Sequence, residues 1–591
     1  MAKSSSRQML SESAAVRTVR SVDQLLPASS YAAIRFGGLS AFRKAASDQP
    51  LSQLFEQFLG ELPAELREEI VAGNLDQMAD EVRRELTNMG IKPTDLRSML
   101  ERPMAVGVGR ISLEGMGPSV CLLIDAGDAR QQINRCMKAV GGMLPRMGAD
   151  TSLGRVEIAG HALYQLQFDG GPSVFAGWLG STYCVSNSRG YLREVAAVAA
   201  GQQASLFGTT RAGELHGKLG GEPLLAGALN ASTIMDALAP HMPYEAGDFA
   251  DALGVGRLDT VYGGVAGSPT GSKDLFHLGL AGSSDGLLKS LVQQPANLDF
   301  ASICSENTVV FGAGSFDVPA VLSAFEKFVD LLPQQAQDEM RREMGREFGR
   351  ELRRMGTSPQ ELHAMMQAFG SQVGMALSLE KGPVPKPELL MRLTVRDHDL
   401  VAGLLQRVEQ MSSQEGGVEW RSRKSGDDAI RFCSMQVEGG LMLTPCYLLT
   451  NDALWFGSDA LGLSRAMKRA DRPEQSLAAQ PDFAQMADKT DGASGVLYVR
   501  AFRGVQIGWR SVETMLYPML DAQADEIGFG SEALPDQEQM AKALGTTTIA
   551  YHVGDDGVTV RAEGSMTIGA LLAGLGAMAD RVLSLASAQV F

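Results

Sequence analysis

The sharpest chemical motif is Gly282-Ser283-Ser284-Asp285-Gly286, a G-x-S-x-G run. It stands between an apolar stretch, Leu275 to Ala281, that reads as a strand and a helical pattern from Leu287 onward. That is the setting of a nucleophile elbow, in which Ser284 would attack an acyl carbon with a histidine base and a carboxylate behind it. Two features weigh against this chemistry. The matching segment later in the chain, Gly564-Ser565-Met566-Thr567, puts Met566 where Ser284 stands. The strands before Gly282 read as antiparallel, whereas an elbow rides on a mostly parallel sheet. The segment therefore reads as a turn with a helix N-cap, and Ser284 is the single candidate nucleophile, for a serine hydrolase kept as the alternative function.

A second glycine motif, Gly312-Ala313-Gly314, follows an apolar strand pattern. A dinucleotide fingerprint needs a third glycine, and Asp317 occupies that place with a charge that repels phosphate. A tight turn is the expectation. The seven histidines, His161, His216, His241, His277, His363, His398 and His552, form neither H-x-x-x-H nor H-E-x-x-H pairs. Most carboxylates lie among arginines on helical faces, the pattern of a solvated surface. The six cysteines lack any C-x-x-C spacing. Their apolar neighbours (Val120-Cys121-Leu122, Phe432-Cys433) point to buried, reduced thiols. The residues thus call for no cofactor and no metal.

Composition limits the function classes further. The apolar fraction of 45% and charged fraction of 21% suit an ordinary globular protein. A net charge of −16 repels phosphate backbones and anionic lipid, so nucleic acid is excluded as a partner class. No apolar run reaches the roughly 18 to 20 residues of a bilayer span. The longest candidate, Ile568 to Met578, reads as a short buried helix. Residues 1–24 read as a flexible, Ser-rich, basic tail without an apolar signal region, which places the chain in the cytoplasm by default, with the cell envelope as alternative.

The elements that must position these residues recur. Arg84-Glu85-Leu86-x-x-Met89-Gly90-x-x-Pro93-x-Asp95-Leu96 returns as Arg350-Glu351-Leu352-x-x-Met355-Gly356-x-x-Pro359-x-Glu361-Leu362, at a constant offset of 266. In the second copy Met340, Met344, Phe348, Leu352 and Met355 form an apolar stripe at helical spacing, and Gly90 and Gly356 stand where a helix C′ glycine belongs. Strand patterns repeat in the same order, with helix starts expected at Asp128 and Asp399. Short links between strands imply hairpins. The expected class is α+β: a tandem duplication of one module, each copy a mostly antiparallel sheet packed on several helices. The modules are set at 25–298 and 299–591.

Leu25-Leu26-Pro27-Ala28-Ser29-Ser30 before Tyr31-Ala32-Ala33-Ile34-Arg35-Phe36, and Ser476-Leu477-Ala478-x-x-Pro481-x-Phe483 ahead of Gly495-Val496-Leu497-Tyr498-Val499, are similar to segments of an uncharacterised bacterial family whose members open with a Leu-Pro-Ala-Asp-Thr-like stretch. The resemblance covers scattered segments of both halves. It implies a strand and then a helix at the start, and a chain of a kind often exported or membrane-tethered; it assigns no catalytic residue. The function expected is a non-enzymatic binding or scaffold protein of bacterial type, whose partner is a protein or an apolar ligand. A carrier of a lipid or other apolar ligand is a further alternative.

Overall fold

The computed structural model describes residues 21–62, 73–112, 117–143, 151–168, 173–241, 257–282, 294–317, 366–382, 385–416, 418–425, 428–436, 442–524 and 529–588, with single residues and short runs at 171 and between 319 and 364. The fold is α+β, and among the described residues the strands pair antiparallel. Described residues sort into two compact units. One draws on 1–41, 79–229 and 583–591, the other on 42–78 and 230–582.

In the first unit the strands are β1 (Ala32–Phe36), β2 (Met104–Ser112), β3 (Gly117–Asp125), β4 (Thr151–Ile158), β5 (His161–Phe168), β6 (Ser173–Leu179), β7 (Thr182–Ser186) and β8 (Pro223–Asn230). They pair in the order β8-β1-β2-β3-β7-β6-β5-β4. The second unit holds β9 (Leu258–Ser268), β10 (Gly271–Leu280), β11 (Thr308–Ser315), β12 (Phe369–Glu380), β13 (Lys386–Val395), β14 (Trp420–Ser425), β15 (Asp428–Cys433), the short pair β16 (Met435–Gln436) and β17 (Met442–Leu443), then β18 (Cys446–Leu449), β19 (Ala453–Gly457), β20 (Gly495–Val499), β21 (Thr547–Gly554) and β22 (Gly557–Gly564). Its main ladder runs β9-β10-β22-β21-β20-β11-β12-β13-β19-β18-β15-β14. The helices that bear on the site are α1 (Leu39–Asp48), α2 (Gly73–Asn88), α3 (Arg130–Met143), α4 (Arg189–Ala199), α5 (Arg211–Leu219), α6 (His398–Gly416), α7 (Ala460–Arg469), α8 (Pro481–Lys489) and α9 (Ile568–Ala588).

Local chemistry explains the element ends. Gly90 closes α2 with φ +70, and Ile91 N donates to Leu86 O at 2.8 Å, the left-handed helix stop the sequence announces. Ala159 and Gly160 join β4 to β5 with φ of 49 and 79, the two positive values of a type I′ hairpin turn. The start of α6 differs by two residues from expectation. Asp397, not Asp399, accepts from the Leu400 amide at 3.1 Å, because only the earlier aspartate has its carboxylate over the first turn.

The apolar face of α4 (Tyr191, Leu192, Val195 and Val198) is buried in the first unit. Ile133 of α3 joins Ile124, Ala126, Ala129 and Tyr183 in a second cluster. The second unit's main core gathers Phe300, Phe311, Phe483 and Tyr498 with Leu390, Leu448, Leu463 and Leu477. Phe311 meets Phe483 edge-on at 5.2 Å and Phe300 at 5.8 Å. The tryptophans pack as expected: Trp178 stands edge-on to Tyr183 at 5.0 Å, and Trp509 edge-on to Tyr517 at 6.4 Å.

Two expectations are corrected. Gly312-Ala313-Gly314 is no turn. All three lie within β11 and pair on one side with Met375, Gly374 and Val373 and on the other with Leu497, Val496 and Gly495. The glycines admit close neighbours instead: a Cβ at Gly314 would lie 3.2 Å from Tyr551 Oη. The short buried helix expected at Ile568–Met578 is the first half of α9, 21 residues long. Its span Ile568–Ser587 is long and apolar enough to cross a bilayer by length and composition, and 22% of its 18-residue apolar window is buried. Counting consecutive apolar residues stops too early, because Gly569, Gly574, Gly576 and the Asp580-Arg581 pair interrupt the run without ending the helix.

Candidate functional site: the polar cavity beside Gly462

Ser284, and with it most of the G-x-S-x-G run, lies outside the described residues; Gly282 is described, with φ +97. The strand leading to it, β10, is antiparallel to both of its neighbours, β9 and β22. The methionine stripe from Met340 to Met355, Gly356 and His363 also lie outside the described residues. Among the described residues no group of three or more His, Cys, Asp or Glu is placed to hold a metal ion. All six cysteines are buried free thiols. Burial pushes Cys184 and Cys446 up to about 12 and Cys136 up to about 11, which removes them as nucleophiles at neutral pH.

Among the described residues of the second unit, a small polar cavity forms beside α7, and a larger open hollow of about 300 Å³ lies between residues 295–298 and 487–496. Asp459 caps α7 by accepting from the Gly462 amide at 3.2 Å. Because Gly462 has no side chain, the space above it stays open toward Ser378 on β12, Glu388 on β13, and Ser458. Cys304, Ala466 and Arg469 complete the lining. Arg465 Nη2 donates to Glu388 Oε1. Arg469 reaches the Ile303 carbonyl at 3.1 Å and Glu380 at 3.7 Å. Lys386 Nζ donates to Asp459 Oδ2 at 3.2 Å.

Two neighbouring carboxylates are pushed in opposite directions. Glu388, 8% exposed, is raised above the usual glutamate value, first by burial and further by Glu380 and Asp459; the nearby Arg465 does not reverse this. Burial also works against the charge on Asp459, but the Lys386 ammonium and the α7 amides hold its carboxyl below the usual range. Opposed shifts in one cavity are the signature of a proton donor beside a proton acceptor. Size decides against a reaction. The cavity measures about 20 Å³, room for a single water molecule and for no organic substrate.

A second buried polar cluster occurs in the first unit. Asp23, fully buried, stands 3.4 Å from Arg35 Nε on β1 and 3.4 Å from His216 Nε2 on α5. Burial holds the His216 imidazole below its ordinary value, with Asp23 opposing. His216 also lies 5.2 Å from the Phe207 ring. The carboxylate ties three elements together and leaves no open face for a substrate.

Neither cluster was visible in the sequence. Glu388 and Asp459 are 71 positions apart, and Asp23 and His216 are 193 apart. The available signal was a local one, Asp459 three residues before a glycine at a helix start; Asp23, between Val22 and Gln24, carried none. Comparison with protein-family models, curated proteins and solved structures finds no match for this chain.

Proposed function

We propose that the chain is a tandem duplicate of one α+β module and acts as a non-enzymatic binding or scaffold protein. One observation carries the duplication. A row of facing residues crosses the first sheet as Ala228, Ala33, Gly107, Cys121, Ser186, Phe175, Gln165, Gly154. A row crosses the second as Tyr498, Phe311, Ala376, Leu390, Gly457, Cys446, Phe432, Arg421. Ala228 and Ser186 each precede a helix N-cap by two residues, Asn230 and Ser188; so do Tyr498 and Gly457, before Arg500 and Asp459. Eight strands in one order, with both helix starts in register, are a demanding coincidence for unrelated sheets.

The scaffold reading rests on where the buried charges are spent. Asp482 takes both Arg500 (2.6 and 3.1 Å) and Tyr498 (2.9 Å). Asp95 takes Arg135 through two bonds of 2.8 and 2.6 Å. Glu409 takes Arg431 and Tyr447. These are internal ties between elements, the opposite of an array aimed at a ligand. The kinship with the bacterial family suggested by residues 25–36 and 476–499 fits the same reading.

A fluorophosphonate probe tests it. No labelling is expected; labelling lost in Ser284→Ala would replace the scaffold by a serine hydrolase. Native mass spectrometry of the freshly purified chain supplies the other test, since a co-purified lipid mass would move the assignment to a carrier.

A further inference from the structure

We infer that the surface around Met515 and Met519 is a docking site for a partner protein, and that the partner presents a cationic amphipathic helix. The inference goes beyond the scaffold reading and stands without it. A hydrolase could carry the same surface, so labelling by the fluorophosphonate probe would leave it untouched.

Two adjoining helices build the surface. The helix Ala501–Met515 buries Ile507 and Trp509. Pro518 then stands in the first turn of the helix Tyr517–Ala522, which carries no buried residue. Around that joint the large apolar side chains face solvent, with Met515 66% exposed, Met519 63% and Leu516 42%. Together they present roughly 300 Å², the size of patch that marks interaction sites on soluble proteins. Methionine suits such a site, because its unbranched, polarizable side chain adapts to the shape of a partner.

Charge selects the occupant. Residues 511–541 hold seven carboxylates and no Lys, Arg or His. Two pairs of these carboxylates bracket the short helix that bears Met519. Burial first, and then the charges of Glu513 and Asp536, hold the Tyr517 phenol above its ordinary value, which places both carboxylates beside that ring. At the other end Asp521 accepts from the Ser531 amide at 2.7 Å and from its hydroxyl at 3.1 Å. A Cβ at Gly530 would touch the carboxylates of both Asp521 and Glu532. A field of that sign repels phosphate backbones, anionic lipid and the same surface of a second copy. It attracts Lys and Arg, while Met515, Leu516 and Met519 between the carboxylates call for apolar residues among the basic ones. An amphipathic helix with basic flanks meets both demands in one element.

Fluorescence anisotropy of the full chain tests this with a labelled Leu/Lys peptide of roughly 14 residues, leucine at the a and d positions and lysine elsewhere. The wild type is expected to bind it, and Met515→Ser/Met519→Ser to bind about tenfold more weakly. Raising NaCl from about 50 to about 300 mM should weaken the wild type several-fold, and Glu513→Gln/Glu532→Gln/Glu538→Gln should lose most of that salt dependence. Asp428→Asn/Asp471→Asn/Glu474→Gln removes as many exposed carboxylates elsewhere in the second unit and should bind like the wild type. All the substituted side chains are exposed, so the variants keep the fold, which circular dichroism checks. A wild type that does not bind overturns the inference. So does equal weakening in the two carboxylate variants, undiminished binding by the serine variant, or equal binding of a peptide with glutamate in place of lysine. Flotation of the wild type with phosphatidylcholine vesicles, lost in the serine variant, would give the surface to a membrane and overturn it as well.

Discussion

Two helix starts occupy the same place in their sheets and hold opposite residues. In the first unit Ser188 caps α4 and Tyr191 is the third residue in; in the second, Asp459 caps α7 and Gly462 is third. Tyr191 is 4% exposed, lies over Gly107 and Gly109 of β2, and shares a 2.6 Å hydrogen bond with Ser30. Burial pushes its phenol well above the ordinary tyrosine value, although the Ser30 bond opposes this. In the second unit the volume has moved from helix to strands. Phe311 and Tyr498 stand in the row where the first unit has Ala33 and Ala228, and the ground above Gly462 is left to Glu388 and one water-sized space. The comparison teaches that a core of this shape is filled from either side, because packing constrains total volume more tightly than the source of each side chain.

The largest effect should come from Tyr191→Gly. Removing a buried ring costs about 3–5 kcal/mol, and a glycine within a helix about 1 more, so urea denaturation should register a loss of about 4–6 kcal/mol. A loss near 1 kcal/mol would mean that the ring is not what closes the first unit. Gly462→Tyr sharpens the comparison from the other side. A Cβ there would already lie 3.0 Å from the Glu388 carboxyl carbon, and the space is far too small for a ring. Overpacking should cost about 1–3 kcal/mol, and Glu388→Ala in the same chain should recover most of it. No recovery would show that Glu388 does not define the cavity.

The caps rank next. Ser188→Ala should lose about 1 kcal/mol. Asp459→Ala should lose about 1–2 kcal/mol, since that carboxylate also takes Lys386 and the Thr444 hydroxyl. Equal losses would indicate that those extra bonds are too exposed to matter. The smallest effect is a pH slope. Glu388 is raised in the folded state, so folding favours its protonated form, and stability attributable to it falls as pH rises from 4.5 through the raised value. Asp459 is lowered, so its contribution is present above 3.8 and lost only as pH falls through its depressed value. Glu388→Gln should therefore flatten the melting-temperature profile on the alkaline side of 4.5 while leaving the acid limb in place. A steeper profile in the variant would reverse the sign assigned to Glu388.

How much of this was legible beforehand depends on range along the chain. The strands Ala32–Phe36 and Thr182–Ser186 fall where alternation and β-branched residues put them, and Gly90 ends its helix as a C′ glycine must. The glycine pair of β11 misled, because Gly-x-Gly reads as a turn unless the neighbours that demand close approach are known; here Tyr551 is one of them. Helix α9 misled in the other direction. Its composition announces burial, but burial of the small face sends the large residues outward, and only the packing partner decides which face is which.

Element types, their order, the antiparallel class, the buried thiols and the absence of close-spaced catalytic pairs follow from the sequence alone, because each depends on residues within a turn or two of one another. The Asp23–Arg35–His216 cluster, the opposed carboxylates at Gly462 and the outward apolar side of α9 required the tertiary structure. Each depends on dielectric and distance between residues far apart in the chain. Those quantities take values only once the strands are in register and the helices have chosen a face.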